Sequence, residues 1–142
     1  MFVFRMHGFG RDVFDTTGAV LYPGRWHSAG ARIVYVAEHA SLAVLETLIH
    51  AGGRKIPPRA LTRIEIPDDL AIETAVWLDM PHSQAFGDHW VHEKRSAVLR
   101  VPSIAVNQME SNFIFNPAHP DFSRIRHDPS QPFAFDPRYF GV

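Results

Sequence analysis

Eleven prolines and nine glycines punctuate this chain of 142 residues, and that punctuation limits the fold more than any other feature. A proline inside a helix or a central strand removes a backbone donor and fixes φ, so regular elements stop beside it. Apolar runs of strand length lie between the stops. Residues 2–4, 32–37, 60–66, 71–77, 97–101, 112–116, 123–126 and 133–135 read as strands. Pro67-Asp68-Asp69 joins the third of these to the fourth. Residues 42–51 form the clearest helix, with Ser41 as its cap and Gly52-Gly53 as its end. Residues 88–96 read as a second helix, and the stretch from Gly8 to Gly24 as loop. Strand following strand, with two or three helices, predicts an α+β fold rather than a doubly wound sheet. The expectation is one compact domain over residues 1–142, with short mixed or antiparallel strands and a few helices.

Charge and composition narrow the function. Fourteen Lys plus Arg against fifteen Asp plus Glu give a net charge of −1, so no overall field draws the chain to a nucleic-acid backbone. The absence of cysteine removes thiolate nucleophiles, disulfides and Cys-based zinc sites together. No run approaches the roughly 18 apolar residues of a membrane span, and the expected location is the cytoplasm. The DHWVHE segment at 88–93 puts His89 and His92 three apart on a helix face, but it lacks the i, i+4 pair of a zincin helix. No metal is expected. His119 is read as fixing a loop or bordering the pocket, and Asn112 and Asn116 as stabilising turns.

The stretch GRWHSAGARIVYVAEHASLAVLETLIH, residues 24–50, concentrates the reactive groups. At about 100° per residue, Leu42, Val44, Leu45, Leu48 and Ile49 form one apolar arc, and Glu46 falls at its edge. Partial burial with one open side suits a catalytic carboxylate. Periodicity alone favours a surface glutamate. Tyr35 shares a strand face with Ile33 and Ala37, which also fits a core tyrosine with a bonded hydroxyl. Arg25 follows Gly24 in a loop that Gly30 closes, where backbone can approach a ligand closely while the guanidinium reaches an anion; an exposed loop arginine fits the same pattern. Arg5 ends an apolar strand, either at an edge or in a site.

Arg5, GRW at 24–26, VY at 34–35 and LAVLE at 42–46 together resemble the RES-domain family, named for an Arg, a Glu and a Ser. IEIPDDL at 64–70, GDHW at 87–90, VPS at 101–103, ESNFIFNPAHPDF at 110–122 and FAFDPRYF at 133–140 continue the likeness over nearly the whole chain. The resemblance implies a fold like that of ADP-ribosyltransferase toxins. It also implies a toxin of a bacterial toxin–antitoxin pair whose substrate is NAD+, degraded by water or phosphate or used for ADP-ribose transfer to a protein. By motif, the implied catalytic residues are Glu46, Arg25, Tyr35 and Ser103, with Arg5, Arg25, Tyr35 and Ser103 binding substrate. Ser111 is a second candidate for the serine. His27 departs from the Asn expected in this turn, which leaves the loop's contacts open. The implied partners are a cognate Xre-type helix-turn-helix antitoxin and a second copy of the chain in a homodimer.

In that chemistry the barrier is positive charge growing on the ribose as nicotinamide leaves, and a carboxylate opposes it. Guanidinium forks suit a pyrophosphate, and a tyrosine ring can lie against a charged nicotinamide. No Gly-x-Gly-x-x-Gly turn follows a strand, so NAD+ is expected as a substrate and not as a recycled cofactor. A domain that binds a nucleotide without turnover is the alternative reading.

Overall fold

The first strand runs past the apolar residues that announce it: β1 covers Phe2–His7, because Arg5 and His7 both find partners inside the protein. The computed structural model describes residues 1–141. After β1 come α1 (Thr17–Leu21), β2 (Val34–Ala37), α2 (Ala40–Ala51), β3 (Arg59–Glu65), β4 (Ile72–Thr74), α3 (His82–His92), β5 (Val98–Pro102), β6 (Ser111–Phe115), β7 (Arg126–His127) and β8 (Gln131–Phe133). Short 3-10 turns at Pro120–Arg124 and Pro137–Phe140 complete the regular structure of the described residues.

The strands form one sheet in the order β4-β5-β6-β2-β1-β3-β7, with β8 also paired to β3. Every pair is antiparallel except β4 with β5. Together with three helices the sheet gives the expected α+β architecture. β1 lies against β3 along its whole length, Phe2 opposite Glu65 through His7 opposite Ala60. It meets β2 only at Phe4 and Ala37. Beyond that pair the two strands part, and residues of both, Arg5 and Met6 of β1 with Tyr35 and Val36 of β2, line a cavity.

Alternation sends the β2 side chains into different cores. Val34 and Val36 join Val3, Ile64, Phe113 and Phe115 on one side. Ile33 packs with Trp26, Trp90 and Leu99 on the other. Ala37 meets Leu42 and Ala43 beneath α2. No helix among the described residues is long and apolar enough to cross a membrane.

Several local expectations need correction. Pro67-Asp68-Asp69 does lie between β3 and β4, but the second strand shrinks from the expected 71–77 to Ile72–Thr74 and sits far from β3 in the sheet order. The Ile66 N–H donates to Met1 O at 2.8 Å and the Met1 amino group to Ile66 O at 2.9 Å, which ties the end of β3 to the start of β1. The chain then crosses the molecule through buried Leu70, and β4 pairs in parallel with β5 through the α3 crossover. Helix α3 starts six residues before the expected 88 and ends before 96. Its interior Gly87 hides the helix from a propensity reading. Ser41 lies inside α2, and His39 is the residue before its first turn. The expected strand at 123–126 is divided between the 3-10 turn, which holds Ser123 and Arg124, and β7, which begins at Arg126, and α1 interrupts the expected loop.

Candidate active site

Ala43, Glu46, Thr47 and His50 line a cavity of about 560 Å³, and their i, i+3, i+4, i+7 spacing means that one face of α2 forms its wall. Glu46 is half-buried. Its Oε1 accepts from Ser103 Oγ at 3.1 Å and from Asn112 Nδ2 at 3.0 Å. Ser103 follows the end of β5 and is 1% exposed; its N–H donates to Glu110 O at 3.0 Å, which fixes the backbone. Asn112 sits in β6 between Ala37 of β2 and Val101 of β5. Three secondary elements therefore orient one carboxylate, and both fixed donors go to the same oxygen.

Across the cavity stands the loop carrying Arg25. Gly24 N–H donates to His27 O at 3.1 Å, closing a tight turn. Helix α3 holds this turn from behind. Ser83 Oγ donates to Arg25 O at 2.6 Å and Gln84 Nε2 to Gly24 O at 2.9 Å. The N–H and hydroxyl of Ser28 donate to the Asp88 carboxylate at 2.9 and 2.6 Å. A Cβ on Gly87 would lie 1.7 Å from Trp26 O, so only glycine lets helix and turn approach this closely.

Tyr35 is anchored to the same turn. His27 is 2% exposed, and its Nε2 faces Tyr22 O at 2.9 Å and Ala19 O at 3.1 Å. Two carbonyl acceptors assign the ring hydrogen to Nε2. Nδ1 then accepts from the Tyr35 hydroxyl at 2.7 Å, and the Tyr35 oxygen accepts from the Trp26 N–H at 3.2 Å. Burial pushes the Tyr35 pKa well above the ordinary tyrosine value. The hydroxyl is thus a fixed strut, and the ring borders the cavity.

Arg5 and Arg25 border the same space, but part of each guanidinium is already engaged. Arg25 Nη2 donates to Leu78 O at 3.1 Å. Arg5 Nη1 donates to Val13 O and Nη2 to Asp15 O at 3.2 Å, so Arg5 pins the 12–15 loop as well as walling the cavity. Burial lowers the Arg5 pKa to about 10, and the group stays cationic at neutral pH.

The structure thus brings Arg5, Arg25, Tyr35 and Glu46 to one cavity, with Ser103 bonded to Glu46. Ser111 goes elsewhere: its Oγ accepts from Arg100 Nε at 2.9 Å, and its N–H donates to Glu38 Oε2 at 2.6 Å. Sequence reasoning passed over two residues. Asn112 lies in a strand as expected, but the turn-stabilising role read for it is replaced by its bond to Glu46. His27, read as an open departure, is the buried partner of Tyr35. His119 does fix a loop, accepting from Asp121 N–H at 3.0 Å.

His89 and His92 lie on α3. Among the described residues, Glu38, His39 and Glu110 have potential ligand atoms within 4.8 Å of one another. Hydrogen bonds account for that closeness: His39 Nδ1 meets Glu110 Oε1 at 2.9 Å, and Glu38 holds the Ser111 N–H.

Fold and cavity together define an α+β domain in which one glutamate, held by a serine and an asparagine, faces a cleft bordered by guanidinium groups and an aromatic ring. The model of the RES domain matches residues 2–136, and the chain belongs to that family. It is 35% identical over 140 residues to a Sphingobium protein named "Prs ADP-ribosylating toxin", covering 89% of this chain and 86% of that one. It is 40% identical over 123 residues to a "Toxin Res" of Photorhabdus laumondii, covering 80% and 78%. The fold is similar to a chain in the M. tuberculosis MbcT–MbcA toxin–antitoxin complex, with a TM-score of 0.73 over 99% of this chain and 86% of that one. At 16% identity the likeness is one of fold.

Proposed function

We propose that this chain is the toxin of a bacterial toxin–antitoxin pair and that it breaks the nicotinamide–ribose bond of NAD+. The observation that carries the reading is the Glu46 carboxylate, held by Ser103 and Asn112, on the wall of a cavity that Arg5, Arg25 and Tyr35 also line. Nicotinamide leaves as a neutral ring, and positive charge develops on the ribose. Glu46 opposes that charge from a preset position, an effect commonly worth about 3–4 kcal/mol, or a few hundredfold in rate. The Tyr35 ring packs against nicotinamide, and the remaining N–H groups of Arg5 and Arg25 hold the pyrophosphate. Ser103 acts as a donor; among the described residues its hydroxyl bonds Glu46 and no histidine.

NAD+ is consumed in this reaction and not recycled. The name of the Sphingobium relative supports a second reading, in which a protein side chain accepts the ADP-ribose. The fold likeness to a chain of a toxin–antitoxin complex supports an antitoxin partner, of the Xre type by family resemblance, acting on a toxin homodimer in the cytoplasm. The decisive experiment incubates the protein with NAD+, with and without phosphate, and identifies products by mass spectrometry. Nicotinamide with ADP-ribose, with its 1″-phosphate, or with a labelled protein separates the three acceptors. Intact NAD+ in every arm, a lysate included, refutes the reading.

A further inference from the structure

The face of α2 that carries Glu46 continues beyond the first cavity. Met6, Thr47 and His50 border a second cavity of about 540 Å³ as well as the first. His50 lies four residues after Glu46, about 6 Å along the helix axis. The charged lining of the second cavity is entirely basic, with Arg54, Lys55 and Arg59 and no Asp or Glu.

Part of this charge has an ordinary explanation. Arg54 Nε donates to Ala51 O at 3.0 Å, where a cation answers the open carbonyls and dipole of the α2 C-terminus. Arg59 has no such role. Its Nε is buried and meets no partner among the described residues, and a buried donor left unpaired is costly. Arg59 also lies near enough to Arg5 for the like charges to repel. It shares the α2-facing side of the sheet with Leu61, whose cross-strand partner is the cavity residue Met6. The chain reaches it through Pro57-Pro58, which stiffen the approach and add no N–H donors.

We propose that this second cavity is a phosphate subsite, taking a phosphate dianion that is either free or carried by a nucleotide. Phosphate carries about −1.5 to −2 at neutral pH with three strong acceptor oxygens, and it suits the Arg59 fork with Arg54 and Lys55 beside it. Its link to NAD+ cleavage rests on the proposed function; phosphate binding does not.

The test titrates inorganic phosphate into the wild type, a double variant Arg54→Ala with Lys55→Ala, and Arg59→Gln, followed by 1H–15N NMR. Nicotinamide release from NAD+ and from NADP+ is measured in parallel. Saturable shifts confined to residues 47–59, with affinity at least tenfold lower in the variants, are expected. Arg54 and Lys55 are exposed, so the double variant keeps the fold if Arg59→Gln does not. If the phosphate is nucleotide-borne, the variants raise the KM for NADP+ about tenfold relative to NAD+; if it is free, that ratio stays constant. The absence of saturable shifts, or equal affinity in all three proteins, overturns the subsite. A wild type that binds phosphate but releases no nicotinamide counts against the NAD+ reading alone.

Discussion

The Ser103 hydroxyl donates to Glu46 Oε1 at 3.1 Å, joining residues 57 apart in sequence, and Asn112 donates to the same oxygen from a neighbouring strand. If this oxygen is held for orientation, the three residues rank differently in a rate assay. Glu46→Gln should lower nicotinamide release at least a few hundredfold. Ser103→Ala and Asn112→Ala should each cost about 10-fold to 100-fold, the worth of one hydrogen bond to a charged group. Single-turnover rates with circular dichroism on each variant check the order. A Glu46→Gln protein with wild-type turnover rules out the carboxylate's role.

Gly24 separates the Arg25 turn from Tyr35. A Cβ there would lie 2.7 Å from His27 Cε1 and 2.9 Å from the Tyr35 hydroxyl oxygen. His27 is buried and cannot swing aside. Gly24→Ala should therefore cost about 1–3 kcal/mol of stability and displace the Tyr35 ring. His27→Ala removes the hydroxyl's acceptor without adding bulk, and should raise the KM for NAD+ more than it lowers kcat. Unchanged KM in a folded His27→Ala protein would show that Tyr35 needs no such strut.

Gly87 should be the most sensitive glycine. Because backbone opposes it at 1.7 Å, Gly87→Ala must push α3 off the Trp26 turn, at a cost on the order of 3 kcal/mol or more. Gly18 in α1 is the control, with open space around its Cβ position. Gly18→Ala should be neutral or stabilise by up to about 1 kcal/mol. Urea denaturation of the two variants reads the contrast directly.

His7 introduces an acid sensitivity. It is 5% exposed, and its Nε2 meets Thr62 Oγ at 2.7 Å. Burial first, then the neighbouring Arg5 charge, lowers its pKa below the ordinary value of 6.5. Above 6.5 the ring is neutral in both folded and unfolded chains, and its contribution is fully present. As pH falls through 6.5 toward the lower folded value, the unfolded chain takes up a proton that the folded chain resists, so stability declines. The urea midpoint should drop between pH 7 and pH 5, and His7→Gln should flatten that slope. An equal slope in both proteins would assign the acid sensitivity to other groups.

The α+β class, the helix carrying Glu46 and most strand positions were legible because proline stops, glycine ends and apolar periodicity are local signals. Glu46 could be placed at the edge of an apolar arc by angle alone. Its holder Asn112 could not, since nothing near residue 112 refers to residue 46. Helix α3 was misplaced for a related reason. Gly87 weakens a propensity reading, and its cause is the Trp26 backbone some 60 residues earlier.

Short-range chemistry in the chain thus determined which segments become strands, where α2 begins and ends to within two residues, and which side chains are capable of the work. The tertiary structure decided which of them meet. The parallel placement of β4 beside β5, the bond of Glu46 to Ser103 and not to Ser111, the grip of α3 on the Arg25 turn and the commitment of Arg5 to loop carbonyls all depend on contacts between residues distant in sequence. Such contacts are selected by how whole faces pack and by where buried donors find acceptors, and no local window contains that information.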